Sequence, residues 1–192
     1  MILKMALEEP RISYEELKNR LSEIPESGKF LREKALLCTI YASLARVGEV
    51  VRGRYNNTES IRKKDIRIEK THVVISLLTE KVGLVRSVPV NKIRETWLVR
   101  PILLYSAQFT TEEELFPYTT RWAQKVFQKH FPEYNQHIHL LRKWRATHLL
   151  QGKVTGATLP IHVVRRMGGW LDLERLSKVY DLSICEDYKH LI

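Results

Sequence analysis

The stretch "IHLLRKWRATHLLQG", Ile138 to Gly152, is amphipathic like a buried helix, yet His139 and Arg142 stand three apart at its start and Lys143 and Arg145 follow. A helix that packs on a core needs apolar side chains at its i, i+3 and i+4 positions and has little use for so many cations. What those cations face depends on the rest of the chain.

The length of 192 residues suffices for one well-packed domain. A formal net charge of +10 attracts polyanions through counterion release, which makes nucleic acid the leading partner. A generally cationic surface with no partner accounts for the charge equally well. Hydrophobic residues make up 44% of the chain, but no apolar run approaches the roughly 18 residues of a membrane span, so a soluble globular protein is expected. Cys38 and Cys185 form neither a metal-binding spacing nor a disulfide framework, which points to a reducing, intracellular setting. The opening "MILKMALEEP" has too short an apolar run and too early a pair of acids for a secretory signal.

In "ISYEELKNRL", Ser13 followed by Glu16 has the spacing of a capping box, and Leu17 and Leu21 continue at helical period. After the turn "PESGK", the run "FLREKALLCTIYASLARVGEVVRG" predicts one long, buried central helix that stops at Gly53. The period then changes. "DIRIEKTHVVISLL" and "GLVRSVPV" are short and rich in β-branched residues, predicting two strands and a hairpin through "TEKVG" to a third. From Asn91 helices return, broken at Pro101, Pro117, Pro132 and the loop "GKVTGATLP", with "HVVRRMG" and "LDLERLSKVY" as two further short helices. The expected fold class is α+β and mostly helical: a single domain with a small antiparallel sheet.

Taken singly, the cations are ambiguous. Arg46 and Glu49 have the spacing of an ordinary helical ion pair, worth only about 0.2–0.5 kcal/mol. Lys81, at a hairpin tip, reads as exposed charge, and a histidine such as His139 on an amphipathic helix is more often a core or surface residue than a catalyst.

The order of the pieces is more specific. The sequence resembles the tyrosine recombinase (phage integrase) family, Xer-like or of an archaeal or viral integrase, and does so over nearly the whole chain, 1–192, as that family's catalytic domain. "LARVGEV" is similar to the first arginine box, with Arg46 as its arginine and Glu49 as the acid that follows. "LTEKVGLVRSVPV" resembles the hairpin of the catalytic lysine, with Lys81 at the usual interval before Arg86. "HLLRKWRATHLLQG" resembles the second box and places His139 and Arg142. "MGGWLDLERLSKVY" resembles the final box, which places Trp170 and the nucleophile Tyr180. Lys143 stands where the family commonly has a second histidine. Trp170 to Tyr180 is one residue longer than the usual interval, so Gly169 is the other residue that can take the place of Trp170. The N-terminal DNA-clamping domain that members normally carry is expected to be absent, and two readings of the tail 181–192 stay open, docking on a neighbouring subunit or folding back on its own domain.

The implied chemistry explains why these residue types belong together. Attack on a DNA phosphodiester loads negative charge onto two non-bridging oxygens, which planar, permanently charged guanidiniums such as Arg46 and Arg142 can stabilise. A tyrosine hydroxyl with a pKa of about 10 needs help losing its proton, and His139 is the candidate base or relay. Lys81 is the candidate acid for the departing 5′ oxygen. Trp170, with one indole N–H and a packing face, positions. No cofactor or metal enters this scheme. The resemblance implies a cytoplasmic, nucleoid-associated enzyme (or one in the host cytoplasm, if viral) that acts on double-stranded DNA as a homo-oligomer, a tetramer on paired sites. Two alternatives stay open: a DNA-binding module of the same fold that has lost catalysis, and a type IB topoisomerase-like nicking and resealing enzyme. Within the opening stretch, His139 and Arg142 are expected to face the scissile phosphate. Lys143 and Arg145, with Glu49 and Arg86 as further supporting or DNA-contacting candidates, are expected on its flanks or in solvent.

Overall fold

The computed structural model describes residues 12–53, 59–79, 83–134 and 137–171. Ser13 caps helix α1 (Tyr14–Glu23) by accepting the Glu16 N–H at 3.1 Å, and α1 buries Leu17 and Leu21. Helix α2 (Gly28–Ser43) is the centre of the fold, with every residue from Glu33 to Ser43 buried. Its buried hydroxyls bond back along the helix, Thr39 to the Ala35 carbonyl at 2.7 Å and Ser43 to the Thr39 carbonyl at 2.6 Å, so they cost little to bury. Lys34, also buried, meets the Glu26 carboxylate at 3.0 Å.

Helix α2 stops at Ser43, and the short helix α3 (Val47–Val50) follows. The single long helix expected to Gly53 is therefore two helices. Leu44 turns into the left-handed region (φ 54), a conformation that costs a branched side chain roughly 1–2 kcal/mol. Arg46 is the N-cap of α3, not a residue late in α2, and its backbone N–H is accepted by the Glu49 carboxylate at 2.9 Å.

The sheet has the expected strands, β1 (Ile66–Ile68), β2 (His72–Leu78) and β3 (Val85–Asn91), antiparallel in the order β1-β2-β3. The register pairs Val73 with Val90, Ile75 with Val88 and Leu77 with Arg86. These pairs share one face by the alternation of strand side chains, and the apolar ones are buried. Arg86 thus takes a position that the period reserves for a core residue.

Helix α4 (Thr96–Ser106) runs through Pro101, where a break was expected. The proline forfeits one N–H bond, about 3 kcal/mol. Burial of Leu98, Val99 and Ile102 in the same helix returns about 1.5–3 kcal/mol each, which outweighs it. Helix α5 (Thr120–His130) ends before Pro132 as expected, and α6 (His139–Leu150) and α7 (Ile161–Gly168) lie on either side of the Gly152–Pro160 loop. Helix α2 packs on α4 and α6, and α7 packs on α6 and β3. Among the described residues no helix is long and apolar enough to cross a membrane.

Candidate active site

Helix α6 answers the question of its cations by splitting them. His139 opens the helix and is exposed, whereas Arg142 is buried, with 1% of its surface exposed. Lys143 is half-buried. Arg145, expected on the flank of the site or in solvent, is instead buried in the core, where its guanidinium forms a two-pronged ion pair with Glu95, one prong at 2.9 Å. The reason is helical phase. Residues three apart lie on one side of the helix, so Arg142, Arg145 and His148 all turn inward, whereas His139, on the same side, stands exposed at the first residue of the helix.

The inward residues find partners one by one, with Arg145 Nε left over as a buried nitrogen that has no hydrogen-bond partner among the described residues. Burial draws the Arg145 guanidinium down, but the Glu95 carboxylate outweighs it and raises it above its ordinary value. The Arg145 guanidinium also lies 5.1 Å from the centre of the Tyr41 ring. His148 Nε2 lies 2.9 Å from the Ile12 carbonyl, which can only accept, so Nε2 carries the proton and Nδ1 accepts from the Tyr41 hydroxyl at 2.8 Å. Burial, outweighing the bond to Ile12 and reinforced by the charge on Arg145, pushes the His148 pKa down to about 4.

One helical turn before Arg145, Arg142 bonds the Leu44 carbonyl at 2.6 Å through Nη1 and the Gly168 carbonyl at 2.9 Å through Nη2. Both acceptors sit at helix C-termini, α2 and α7, where carbonyls lack intrahelical partners and carry partial negative charge. The Trp170 ring covers the guanidinium at 4.1 Å. Gly168 makes room for that ring, since a Cβ there would lie 1.7 Å from the indole. Gly169 is the left-handed cap of α7 (φ 67) and brings no side chain to Arg142. Of the two residues considered for this place, Trp170 is the one in contact with the arginine.

Glu49 joins the pieces. Its side chain is fully buried, within 3.1 Å of Arg46 Nη1, 2.7 Å of Arg86 Nη2 and 4.0 Å of Arg142 Nη1. Burial alone would raise its carboxyl pKa. The Arg86 charge, the Arg46 backbone N–H and the Arg142 charge outweigh burial and hold the carboxyl below its ordinary range. Glu49 stays a carboxylate, and the pair that looked like a surface i, i+3 bridge is the hub of a buried cluster. Arg46 itself keeps 26% of its side chain exposed. The structure thus brings Arg46, Glu49, Arg86, Arg142 and Trp170 together from four separate boxes. Lys81, Tyr180, the expected helix through "LDLERLSKVY" beyond Leu171 and the tail 181–192 lie outside the described residues.

No family model matches the chain, and no curated protein does. Solved structures do. The chain superposes on the XerH site-specific recombinase bound to a palindromic difH substrate, a post-cleavage complex, with a TM-score of 0.70 at 17% identity, covering 95% of this chain and 52% of that one. It superposes on the Tn1549 transposon integrase in complex with a circular intermediate DNA with a TM-score of 0.62 at 11% identity, covering 90% of this chain and 61% of that one. The fold is that of a tyrosine recombinase catalytic domain. The chain spans about half the length of the XerH chain that it matches.

Proposed function

We propose that the protein is a site-specific DNA recombinase or integrase that cleaves and rejoins DNA through a 3′-phosphotyrosyl intermediate. The observation that carries this reading is the convergence of Arg46 and Arg142, from distant parts of the chain, within 4.0 Å of one buried carboxylate. Two guanidiniums held side by side suit the two non-bridging oxygens of a phosphodiester, whose charge grows as the phosphorus is attacked.

In this mechanism the Tyr180 hydroxyl oxygen attacks phosphorus and the bond to the 5′ oxygen breaks. His139 takes the tyrosine proton and Lys81 supplies one to the leaving oxygen. The reverse sequence, with the 5′ hydroxyl of another strand as attacker, restores a phosphodiester and frees Tyr180. The bond energy is conserved in the intermediate, so no nucleotide cofactor takes part. Arg142, at 1% exposure, meets a phosphate only after what covers it has moved aside. The solved recombinase and integrase structures of the same fold, in complex with DNA, support double-stranded DNA as the partner. Assembly as a tetramer on paired sites belongs to the same reading.

Incubation with a nicked suicide duplex tests it. Wild type should form a covalent adduct that maps to Tyr180, and Tyr180→Phe should form none while retaining salt-dependent DNA binding. Arg46→Ala and Arg142→Ala should each slow cleavage by on the order of 100-fold, the loss expected for one preorganised charge-stabilising donor. An adduct on another tyrosine, such as Tyr188 eight residues further along the sequence, or one persisting in Tyr180→Phe, overturns the nucleophile. DNA binding with no adduct from wild type would mark a binding module of this fold, and plasmid relaxation without recombinant products a topoisomerase-like enzyme.

A further inference from the structure

The inward register position of Arg86 puts a cation where the strand period calls for a core side chain, and only 9% of that side chain is exposed. Its guanidinium finds acceptors on three elements. Nη1 donates to the Ser43 carbonyl at 2.8 Å and to the Met167 carbonyl, and Nη2 to the Leu44 carbonyl at 3.2 Å and the Glu49 carboxylate at 2.7 Å. Each acceptor is shared with, or lies next to, the seat of a residue in the proposed chemistry. Leu44 O also receives Arg142, Glu49 also receives Arg46, and Met167 precedes Gly168, whose carbonyl receives the other arm of Arg142. The turn that leads to Trp170 rests on the same side chain, since a Cβ on Gly169 would lie 3.0 Å from Arg86 Cδ. In the sequence, Lys81 stands five residues before Arg86.

Resting on the recombinase reading above, we infer that Arg86 is a positioning residue: it bolts the β2–β3 strand pair to the seats of Arg46, Arg142 and Trp170, and acts inside the protein, not on DNA. The physical reason is competition for Glu49. While Arg86 satisfies the carboxylate, Arg46 and Arg142 can turn to a phosphate. Without Arg86, the guanidiniums that remain beside the buried carboxylate among the described residues are those of Arg46 and Arg142, and it draws them away from the DNA. Small misplacements of this kind cost rate more than binding, because the reacting geometry tolerates little displacement.

The test measures single-turnover cleavage of a suicide duplex, DNA affinity and the salt dependence of that affinity for wild type, Arg86→Met and Arg86→Lys, with circular dichroism as the check on folding. Arg86→Met should lose about 10-fold or more in cleavage rate, in line with the cost of displaced catalytic groups. DNA affinity and salt slope should stay at wild-type values. Arg86→Lys, which keeps the charge but cannot span the carbonyls and the carboxylate together, should recover part of the rate. If Arg86→Met does not fold, the lysine variant decides, with a rate below wild type and unchanged affinity as the expected result. Wild-type cleavage by a folded variant overturns the inference, as does a salt slope smaller by about 1, the mark of a lost phosphate contact. Absence of an adduct from wild type removes the recombinase reading instead, and the salt slope then still decides whether Arg86 touches DNA.

Discussion

Gly168→Ala is a one-carbon change whose consequence can be worked from the structure. Gly168 does not have a left-handed φ, so alanine is permitted by its backbone, and the nearest obstacle is the Trp170 ring. The new Cβ would lie 1.7 Å from Cζ3, 2.2 Å from Cε3 and 2.6 Å from Cη2 of the indole. Ordinary carbon contacts need about 3.5 Å, so the ring must retreat by roughly 2 Å. That takes it from 4.1 Å above the Arg142 guanidinium to about 6 Å, the outer limit of a cation–π contact. Overpacking costs about 1–3 kcal/mol and loss of the cation–π contact about 0.5–2, offset by up to about 1 for alanine over glycine in a helix. The net destabilisation is about 0.5–5 kcal/mol, a drop in Tm of roughly 1–20 °C for a chain of this size. Thermal and urea unfolding of wild type, Gly168→Ala, Trp170→Ala and the double variant form a closed cycle. With the indole gone the clash is gone, so Gly168→Ala should be neutral or slightly stabilising in the Trp170→Ala background. A penalty of the same size in both backgrounds would refute the assignment of Gly168 as the seat of the ring.

His148 gives a pH dependence of definite sign. Its folded pKa, about 4, lies below the unfolded value of about 6.5, so the unfolded chain binds the proton more readily. The stability it supports is complete above about pH 6.5 and is lost as pH falls towards 4, by about 3 kcal/mol in all. Urea midpoints across that window should fall for wild type and stay flatter for His148→Gln. Arg145→Met should cost about 3–5 kcal/mol by stranding the Glu95 carboxylate in the core, while Arg145→Met combined with Glu95→Leu should recover most of the loss. Equal melting temperatures for the single and double variants would show that Glu95 does not depend on Arg145.

The starts of elements were legible in the sequence because their causes are local. Ser13 and Glu16 announce α1 within four residues, and the β-branched alternation from Val73 to Val90 announces the sheet. The end of α2 was not legible. Leu44, Ala45 and Arg46 carry no breaking signal, and leucine, alanine and arginine all favour helix. The left-handed turn at Leu44 is held from outside, by Arg86 and Arg142 donating to its carbonyl from β3 and α6. Arg145 illustrates a signal that was present and went unused. Leu141, Arg142, Arg145, His148 and Leu149 follow the buried period of α6, so the apolar members of the face already marked its charged members as inward. The sequence could not supply the partner that makes this tolerable, since Glu95 lies in a different segment and carries no local mark of burial. The boxes of the resemblance stand in order in the sequence, but the carbonyls of Leu44, Met167 and Gly168, on which two of the arginines rest, are backbone groups that no residue pattern names.

Those carbonyls bear on why the cluster can stay charged. Buried guanidiniums need compensating negative charge, and among the described residues one carboxylate, Glu49, is shared by Arg46, Arg86 and Arg142. The deficit is met in part by the C-termini of α2 and α7, each carrying roughly half a negative charge in carbonyls that lack intrahelical partners. Four such carbonyls point at Arg86 and Arg142. Dipoles of this kind attract the guanidiniums without claiming them as a second carboxylate would, so among the described residues the cluster keeps a net positive charge, which on the proposed reading meets an incoming phosphate. Burying another acid beside Glu49 would stabilise the arginines further and, on the proposed reading, spoil the site by neutralising the charge that the transition state requires. Among the described residues the cluster's charges are fixed in place by folding and left incompletely neutralised, and on the proposed reading Arg46, at 26% exposure, is the donor that a phosphate reaches before Arg142.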